Sequence, residues 1–488
     1  TGRNHGLLHS GARYAVTDQE SATECIKENM ILKKIARHCV DDTSGLFITL
    51  PEDDLAYQDT FVKACLAAGI NAEVIDPEEA KRMEPSVNPT LIGAVKVPDG
   101  SVDPFRLCAS NVFDAKIHGA KVLVYSEVIE FIKEQDTIKG VKVLDHHTGI
   151  VTDYYAPVTV NAGGIWGHHI AQMAGANISM FPAKGALLIF AHRVNSVVIN
   201  RCRKPANADI LVPGDTVCVI GTTSTRVPYE ECDHLKVTPD EVDLLLTEGA
   251  KLAPCLAETR VLRAYAGVRP LVSADNDPSG RNISRGIVCL DHESRDGIKG
   301  FISITGGKLM TYRLMGEMAA DAVCKKLGRD AKCVTADTPL PGSEPGGIEE
   351  ISKKIWEVPT LVQKASVGRF GTQAAKLDFD GDVKGSLVCE CEEVSVSEVD
   401  SAIENLEVNN LVDLRRRTRF GMGTCQGELC ACRAAGRLAK ARKCTSKARA
   451  DLKDFMNERW KGMYPVAWGE TLRESAYTQW VYSEVMGL

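Results

Sequence analysis

Four cysteines near the C-terminus stand at a spacing that suits metal binding. A C-x-C pair, Cys389 and Cys391, is followed after 33 residues by Cys425 and Cys430. Four thiolates from two short loops can hold a [2Fe–2S] cluster. Zinc also accepts four thiolates, but structural zinc sites usually use C-x2–4-C pairs, which are wider than C-x-C. The spacing therefore favours a [2Fe–2S] cluster on these four residues, with Cys432 as a spare thiol.

Three glycine-rich segments lie in the first two thirds of the chain. Residues 2–14 combine small, polar and basic side chains, and Val160–Trp166 and Thr305–Arg313 each place a glycine pair after a predicted strand. A strand, a glycine pair and a helix start can bind negative charge or the edge of an electron-rich ring. The first of these pairs is not a dinucleotide fingerprint, because its spacing lacks the initial G-x-G.

The elements around these segments alternate between strands and helices over residues 1–335, which indicates an α/β architecture with a largely buried sheet. Predicted strands are Leu46–Leu50, Lys121–Tyr125, Val158–Val160, Ala186–Ala191, Thr216–Gly221, Gly286–Leu290 and Gly300–Thr305. Predicted helices are Asp18–His38, Tyr57–Ala68, Pro77–Glu84, Pro104–Ile117, Thr238–Ala253 and Thr311–Leu327.

A stretch rich in Pro and Gly, Thr338–Ile348, marks a boundary after this domain. We predict a first domain over 1–335, a linker over 336–384, a cluster-binding domain over 385–440 and a helical tail over 441–488. The tail carries an apolar stripe that either packs on its own domain or docks another subunit. Its members are Leu472, Ala476, Tyr477, Trp480, Val481 and Val485.

Composition excludes several classes of protein. With 44% apolar and 25% charged residues, the chain has the balance of a soluble globular protein. No apolar run approaches the ~20 residues that cross a bilayer, and the start has no signal-peptide core. The net charge of −7 argues against nucleic acid as a partner. The high cysteine count without a signal peptide favours a reducing cytoplasm.

Three motifs carry a family resemblance. His9-Ser10-Gly11-Ala12-Arg13-Tyr14 is similar to the H-G-G-L-R-Y of the glycerol-3-phosphate dehydrogenase branch of the glycine/D-amino-acid-oxidase-type flavoenzymes. The segments 267–271 (GVRPL) and 306–312 (GGKLMTY) match two later signatures of that branch. The four cysteines resemble those of the bacterioferritin-associated-ferredoxin-like domain, a small helical [2Fe–2S] module.

The resemblance implies an FAD-dependent oxidoreductase fold, with flavin and substrate subdomains interleaved and a helical [2Fe–2S] domain appended. Such enzymes begin with a strand, a G-x-G-x-x-G turn and a helix that binds the FAD pyrophosphate. The sequence begins at Thr1 and lacks the roughly forty residues that would supply these elements. We therefore expect an N-terminally incomplete chain that binds FAD poorly.

Residue roles follow from the resemblance position by position. It implies that Arg269 stabilises the substrate alkoxide, that Lys308 lies beside the flavin, and that His9 is either the proton acceptor or a packing residue. The resemblance assigns binding of the substrate phosphate to Arg13 and Arg285. Tyr14, beside them, and Arg269 are also implied to bind the substrate. The implied FAD contacts are Thr1, Gly2, Asn4, His5, Leu7, His9, Gly11, Val128, Ala162, Gly163, Gly306, Gly307, Lys308 and Leu309.

The implied reaction moves a hydride from sn-glycerol 3-phosphate to FAD, yielding dihydroxyacetone phosphate. Electrons then pass through iron–sulfur centres to a membrane quinone, and partner subunits, one an iron–sulfur membrane anchor, hold this chain on the inner face of the cell membrane. Two alternatives stay open. One is a related flavoenzyme acting on an amino acid, opine or hydroxy acid, and the other is a non-catalytic cluster-bearing subunit without flavin.

A basic run, Leu414–Arg419, precedes the second cysteine pair. No interleaved aromatic residues support nucleic-acid binding. Offsetting the negative cluster, docking an acidic partner, and forming a solvated face are the interpretations that remain.

Overall fold

The structure is a computed structural model that describes residues 2–272, 286–381 and 383–488. Arg285 and Thr1, two of the predicted site residues, lie outside these ranges. No helix in the described ranges is both long and apolar enough to cross a bilayer.

Twenty strands are present in the described residues. They are β1 Leu7–Leu8, β2 Val40–Asp41, β3 Gly45–Thr49, β4 Glu73–Ile75, β5 Gly93–Val97, β6 Gly100–Val102, β7 Ser126–Glu134, β8 Thr137–Asp145, β9 Val151–Tyr155, β10 Thr159–Asn161, β11 Met180–Phe190, β12 Val198–Arg201, β13 Ile210–Pro213, β14 Cys218–Gly221, β15 Thr225–Arg226, β16 Val261–Val272, β17 Ile287–Asp291, β18 Phe301–Gly306, β19 Leu387–Cys389 and β20 Val394–Ser395.

Fifteen α-helices accompany them in the same ranges. They are α1 Gln19–Ile35, α2 Tyr57–Ala67, α3 Pro77–Met83, α4 Pro104–Ile117, α5 Gly167–Ala174, α6 Pro239–Leu252, α7 His292–Asp296, α8 Tyr312–Lys326, α9 Ile348–Ile355, α10 Leu361–Phe370, α11 Val396–Asn405, α12 Leu411–Thr418, α13 Ala431–Ala441, α14 Ala448–Met463 and α15 Gly469–Trp480.

Local sequence explains where several helices begin. Helix α6 starts after Thr238, whose hydroxyl accepts the Glu241 N–H while the Glu241 carboxylate accepts the Thr238 N–H. Helix α4 starts after Asp103, whose carboxylate accepts two backbone N–H groups, and Pro104 occupies its first position. These starts agree with the helices predicted from the sequence.

The largest sheet has nine strands in the order β15-β11-β14-β13-β12-β3-β5-β4, with β16 paired to β11. Its main apolar core packs the strand residues Leu188 and Ile199 against Leu245 and Leu252 of α6. Strand β16 carries the predicted Arg269 and pairs with β11 along nearly its whole length. This sheet therefore fixes the position of the principal substrate-binding candidate.

A second, three-stranded sheet has the order β10-β18-β17. Strands β10 and β18 run parallel, with Asn161 opposite Ser303. Their carboxyl ends therefore meet at one edge of the sheet, where parallel sheets commonly bind ligands. The pair Ala162-Gly163 follows one strand and Gly306-Gly307 ends the other.

Some predicted elements differ from the observed ones. The strand predicted at Lys121–Tyr125 is absent, because Tyr125 has a left-handed φ of 53° and the regular strand starts at the next residue. Strand β16 escaped prediction because Gly267 and Pro270 weaken its local β propensity. Pairing with β11, distant in sequence, supplies the stability that the local segment lacks.

The segment 336–384, predicted to be a linker, contains α9 and α10. The two helices enclose a small apolar cluster of Ile351, Val367, Ala374 and Leu377. Thr360 caps α10 through a capping box with Gln363, so local signals for this helix are present within the segment.

The C-terminal part builds a helical domain from α11 to α14 with the β19–β20 hairpin. Its core includes Leu411, Phe420, Leu438 and Phe455, and α14 also packs against β16. Helix α15 buries the small polar residues Thr471, Ser475 and Thr478. Its large apolar residues face outward instead: Leu472, Tyr477, Trp480 and the following Val485 are each about half exposed or more, at 48%, 61%, 56% and 64%.

Arg419 joins the C-terminal domain to the first domain. Its guanidinium lies 2.7 Å from an Asp103 carboxylate oxygen and 2.8 Å from a Glu392 oxygen, and it is largely buried. Burial alone would raise the pKa of Asp103, but Arg419 and Arg106 outweigh it and hold that pKa below its usual value. The solvated-face interpretation of the basic run is therefore wrong for Arg419.

Arg419→Ala is expected to destabilise the docked domains by about 3–5 kcal/mol, because it leaves buried carboxylates without their counter-charge. Denaturant unfolding and release of the C-terminal domain by limited proteolysis measure the effect. The difference from wild type should shrink as the pH falls below about 4, since the lowered pKa of Asp103 gives stability that is present above its unfolded pKa and lost as the carboxylate is protonated.

Arg473→Ala is the matched control for this change. Arg473 forms an exposed ion pair with Glu470, one helical turn away, and such pairs contribute at most about 1 kcal/mol. Equal effects of the two substitutions would contradict the assigned role of Arg419.

Candidate functional site

The N-terminal segment forms a tight turn that precedes β1. Gly6 N–H donates to the Asn4 side-chain oxygen at 2.8 Å, and Leu7 N–H donates to His5 Nδ1 at 3.1 Å. Gly6 has a φ of 71°, and a Cβ there would lie 2.8 Å from the Val102 carbonyl oxygen. Glycine is therefore required for the close approach of this turn to β6.

Three of the predicted catalytic and substrate residues lie together. The His9 ring, only 6% exposed, lies 5.4 Å from the Tyr14 ring and 5.6 Å from the His5 ring, measured between centroids. Lys308 Nζ lies 4.7 Å from the centroid of the Tyr14 ring, in cation–π geometry. Burial raises the pKa of the neighbouring Cys25 thiol to about 11, although Lys308 acts in the opposite direction.

Arg269 lies on β16, where hydrogen bonds to neighbouring residues hold its guanidinium. Its guanidinium donates to the Thr222 hydroxyl, to Thr223 O at 3.1 Å and to the Ser224 hydroxyl at 3.4 Å. Gly185 makes room for it, since a Cβ there would lie 2.6 Å from Arg269 Nη2. Strand β16 contacts both β18, which leads to Lys308, and the N-terminal segment, where Tyr265 OH donates to Asn4 O at 2.6 Å.

Arg13 and Lys184 are both held in ion pairs. Arg13 donates to Asp209 at 3.1 Å and to Ala206 O at 3.0 Å, and the Asp209 side chain is fully buried. The assignment of Arg13 to a substrate phosphate stays a prediction in this setting. Lys184, another basic residue near β16, pairs with Glu241 at 2.9 Å, with both side chains about 10% exposed.

The two glycine pairs lie at the sheet edge where β10 and β18 end. Gly306 and Gly307 have φ values of 80° and 66°, and a Cβ at Gly306 would lie 2.4 Å from Gly286 O. Thr305 Oγ1 is buried beside them with no hydrogen-bond partner among the described residues. The glycines leave space at these strand ends, and Thr305 Oγ1 can hydrogen-bond to the polar edge of a planar ring that lies there.

The remaining predicted cofactor contacts occupy several places in the fold. Gly2 lies against the Phe105 ring of α4, and Gly11 against the backbone of Ala22 in α1. Leu309 begins a single 3-10 turn after Lys308. Val128 lies apart from these residues, on β7 of the meander formed by β7, β8 and β9.

The four predicted cysteine ligands come together in the C-terminal domain. The Cys389 thiol is within hydrogen-bonding reach of Cys430, and Cys425 of both Cys391 and Cys430. Hydrogen bonds from Cys391 and Cys430 lower the pKa of Cys425, which favours its thiolate form. Cys432 instead points its sulfur toward the Met486 sulfur, 3.7 Å away.

The loop that carries Cys425 docks on the first domain. Arg260, which immediately precedes β16, donates to Thr424 O at 3.0 Å, and Arg263 of β16 donates to the Gln426 side chain at 3.3 Å. The strand that carries Arg269 therefore also supports the cysteine loop. The sequence did not predict this contact, because Arg260 and Thr424 are more than 160 positions apart.

Comparisons with known proteins agree with this geometry. A family profile described as FAD dependent oxidoreductase matches residues 1–313, and one described as BFD-like [2Fe-2S] binding domain matches residues 387–438. The chain is 61% identical to an anaerobic glycerol-3-phosphate dehydrogenase subunit of Haemophilus influenzae, over 100% of this chain and 87% of that protein. It is 62% identical to the Escherichia coli K12 protein of the same name, over 100% and 90%.

The chain belongs to this family of anaerobic glycerol-3-phosphate dehydrogenase subunits.

Solved structures share the fold of this family member. The glycerol-3-phosphate dehydrogenase from Bacillus halodurans, complexed with FAD, superposes with a TM-score of 0.67 at 19% identity, over 96% of this chain and 88% of that chain. The L-alpha-glycerophosphate oxidase from Mycoplasma pneumoniae, with FAD bound, has a TM-score of 0.55 at 18% identity, over 70% and 88%. At such low identity, the likeness shows the fold alone. The expected α/β flavoenzyme fold with an appended helical [2Fe–2S] domain is confirmed.

FAD and a [2Fe–2S] cluster are the cofactors of this dehydrogenase family member. The thiols fit the cluster, because Cys389 contacts Cys430 and Cys391 contacts Cys425. A [2Fe–2S] centre is held by four Cys thiolates, and the contact of Cys425 with Cys430 brings these two pairs together. No three His, Cys, Asp or Glu side chains of the described residues converge on a single ion position.

Proposed function

We propose that this chain oxidises sn-glycerol 3-phosphate to dihydroxyacetone phosphate. The proposal rests on two relatives, both named as anaerobic glycerol-3-phosphate dehydrogenase subunits, that align over the entire chain. The observation that carries it is the grouping of His9, Tyr14 and Lys308 on an FAD-dependent fold, with Arg269 on the strand beside them. FAD, when bound, accepts the hydride from C2 of the alcohol.

The residues of this chain would hold the substrate and move its proton. Arg269 is already preorganised by three hydroxyl or carbonyl acceptors, so it can stabilise a developing alkoxide with little rearrangement. Lys308 adds a second positive charge at Tyr14. We assign the role of proton acceptor to His9, and the positions of the His5 and Tyr14 rings beside its ring support this assignment. Arg13 and Arg285 are assigned to the phosphate.

We further propose that electrons leave through the [2Fe–2S] cluster to partner subunits and on to a membrane quinone. The cysteine loop contacts β16 directly, which supports transfer within one chain. The outward apolar face of α15, with Leu472, Tyr477 and Trp480 about half exposed or more, supports docking of a partner subunit. Such partners would hold this chain at the inner face of the membrane.

Substrate selectivity tests the proposed function. In the FAD-loaded protein, sn-glycerol 3-phosphate should reduce the flavin with a kcat/KM about 10- to 100-fold above that for glycerol, because lost charge-assisted phosphate contacts weaken binding. Anaerobic flavin bleaching measures both substrates. Faster bleaching by an amino acid, an opine or a simple hydroxy acid would replace this proposal with the related-flavoenzyme alternative.

A further inference from the structure

A cavity of about 810 Å³ lies between the first domain and the C-terminal domain. Its walls include the N-terminal segment, β16, α12 and the end of α14, together with residues from 101–105, 213–219 and 234–237. Ala162, Gly163, Gly306, Gly307 and Lys308, which belong to the predicted flavin site, do not line it. Gly2, Asn4 and His5, which are also predicted FAD contacts, do line it, so the cavity shares the N-terminal segment with the flavin site while its other walls are separate.

The cavity is positively charged although the chain carries a net charge of −7. Seven Lys and Arg side chains line it against three acidic ones, Asp103, Asp215 and Glu458. Asp103 and Asp215 are already paired with Arg419 and Arg106. Within the part of the chain that the structure describes, most of the remaining positive charge therefore faces the cavity without a carboxylate partner.

Arg263 and Arg415 concentrate this charge at one point. Both donate to the same neutral oxygen, Gln426 Oε1, at 3.3 and 2.9 Å. Among the described residues, no carboxylate lies within 4.0 Å of either guanidinium, and the buried Arg415 Nε has no hydrogen-bond partner. Burial lowers the pKa of both groups, and the charge of Arg263 lowers that of Arg415 further, while Cys430 acts on Arg415 and Glu458 acts on Arg263 in the opposite direction. Two such charges side by side repel each other, and a bound anion on the cavity side would relieve that repulsion in addition to the cluster ligand Cys430.

Aromatic residues form other parts of the wall. Phe105 and Tyr265 lie near the N-terminal segment, and the Trp460 and Tyr464 rings lie 5.7 Å apart near the end of α14. Flat apolar rings offer stacking surfaces for a planar ligand. The cavity volume is within the usual range of about 300–1,000 Å³ for small-molecule sites.

We propose that this cavity binds a nucleotide, with its phosphate groups between Arg263 and Arg415 and its base against the aromatic wall. Bidentate arginine contacts are the usual means of phosphate recognition. The bound nucleotide contacts both domains, because Arg263 belongs to β16 and Arg415 to α12.

Titration calorimetry with ADP on the FAD-loaded, cluster-containing protein tests this site, with pyrophosphate and adenosine as its two halves. ADP should bind, pyrophosphate should bind more weakly, and adenosine should bind at least tenfold more weakly than ADP. Arg263→Met and Arg415→Met should each weaken ADP binding about tenfold or more. Arg295→Met is the matched control, since Arg295 is exposed and paired with Asp296 outside the cavity, and it should leave binding unchanged.

Thermal unfolding gives a second readout, and its measurement without ADP does not depend on affinity. Without ADP, Arg415→Met should raise the unfolding midpoint because it removes a buried like charge, and ADP should then stabilise this variant less than wild type. The proposal fails if wild type binds neither ADP nor pyrophosphate, or if both methionine variants bind ADP as wild type does. It also fails if Arg415→Met is destabilised without ADP, or if ADP binds only when FAD is absent, which would assign the cavity to the flavin.

Discussion

Replacing Cys425 by serine is expected to remove the iron–sulfur cluster while FAD stays bound. Cys425 contacts both Cys391 and Cys430, so it lies at the centre of the four ligands. A serine hydroxyl is a far weaker donor to iron than a thiolate. Iron and acid-labile sulfide should fall from two of each per chain to near zero, as a [2Fe–2S] stoichiometry requires.

The Cys425→Ser variant should separate flavin reduction by the substrate from electron transfer to an acceptor. Flavin reduction by sn-glycerol 3-phosphate should continue in Cys425→Ser, because the predicted substrate residues belong to the other domain. Steady-state reduction of a one-electron acceptor should fall to background. Stopped-flow absorbance and acceptor assays measure these two steps.

Cys432→Ser is the control for the cluster. Cys432 lies two residues beyond Cys430, but its sulfur faces Met486 at 3.7 Å. This variant should keep its iron, its sulfide and its turnover. Full loss of iron in Cys432→Ser, or stoichiometric zinc without sulfide in wild type, would contradict the assigned ligand set.

Arg269→Ala is expected to lower kcat for sn-glycerol 3-phosphate by about 10²–10³-fold with FAD still bound. The guanidinium is held by Thr222, Thr223 and Ser224, and Gly185 leaves the space it occupies. A donor fixed in this way stabilises charge that develops in the transition state, so its loss lowers kcat more than it raises KM. Single-turnover flavin reduction, followed at saturating substrate, isolates this step.

Arg226→Ala provides the comparison within the same sheet. Arg226 lies on β15, which pairs with β11, and its exposed guanidinium stacks on the Phe181 ring at 4.7 Å. Turnover should change little in this variant. A similar kcat in Arg269→Ala and wild type, or a purely KM-based defect, would show that Arg269 acts in ground-state binding alone.

The docking of the two domains links these predictions. Arg260 and Arg263 hold the cysteine loop against the strand that also carries Arg269, while Arg419 anchors the domain to Asp103. Loss of Arg419 should therefore slow transfer from flavin to cluster without removing either cofactor. The same interface encloses the proposed nucleotide cavity, so occupancy there should favour the docked arrangement.

The sequence by itself determined the features whose signals are local. The C-x-C and C-x4-C pairs predicted the cluster ligands, because each short segment supplies two thiols, whereas the contacts of Cys389 with Cys430 and of Cys391 with Cys425 depend on the fold. The glycine pairs after β10 and β18 were predicted as binding turns from strand, glycine and helix signals within about ten residues. Helix starts such as Thr238 and Asp103 were readable for the same reason.

Only the tertiary structure decided which distant groups meet. Arg13, predicted to bind phosphate, lies in a buried pair with Asp209, almost 200 positions away. Strand β16 depends on pairing with β11, and α15 turns its aromatic side chains outward although its pattern alone allowed either orientation. Arg263 and Arg415 share one amide oxygen only because two domains dock. Such contacts depend on long-range packing and charge pairing, which leave no periodic signal in the sequence around either partner.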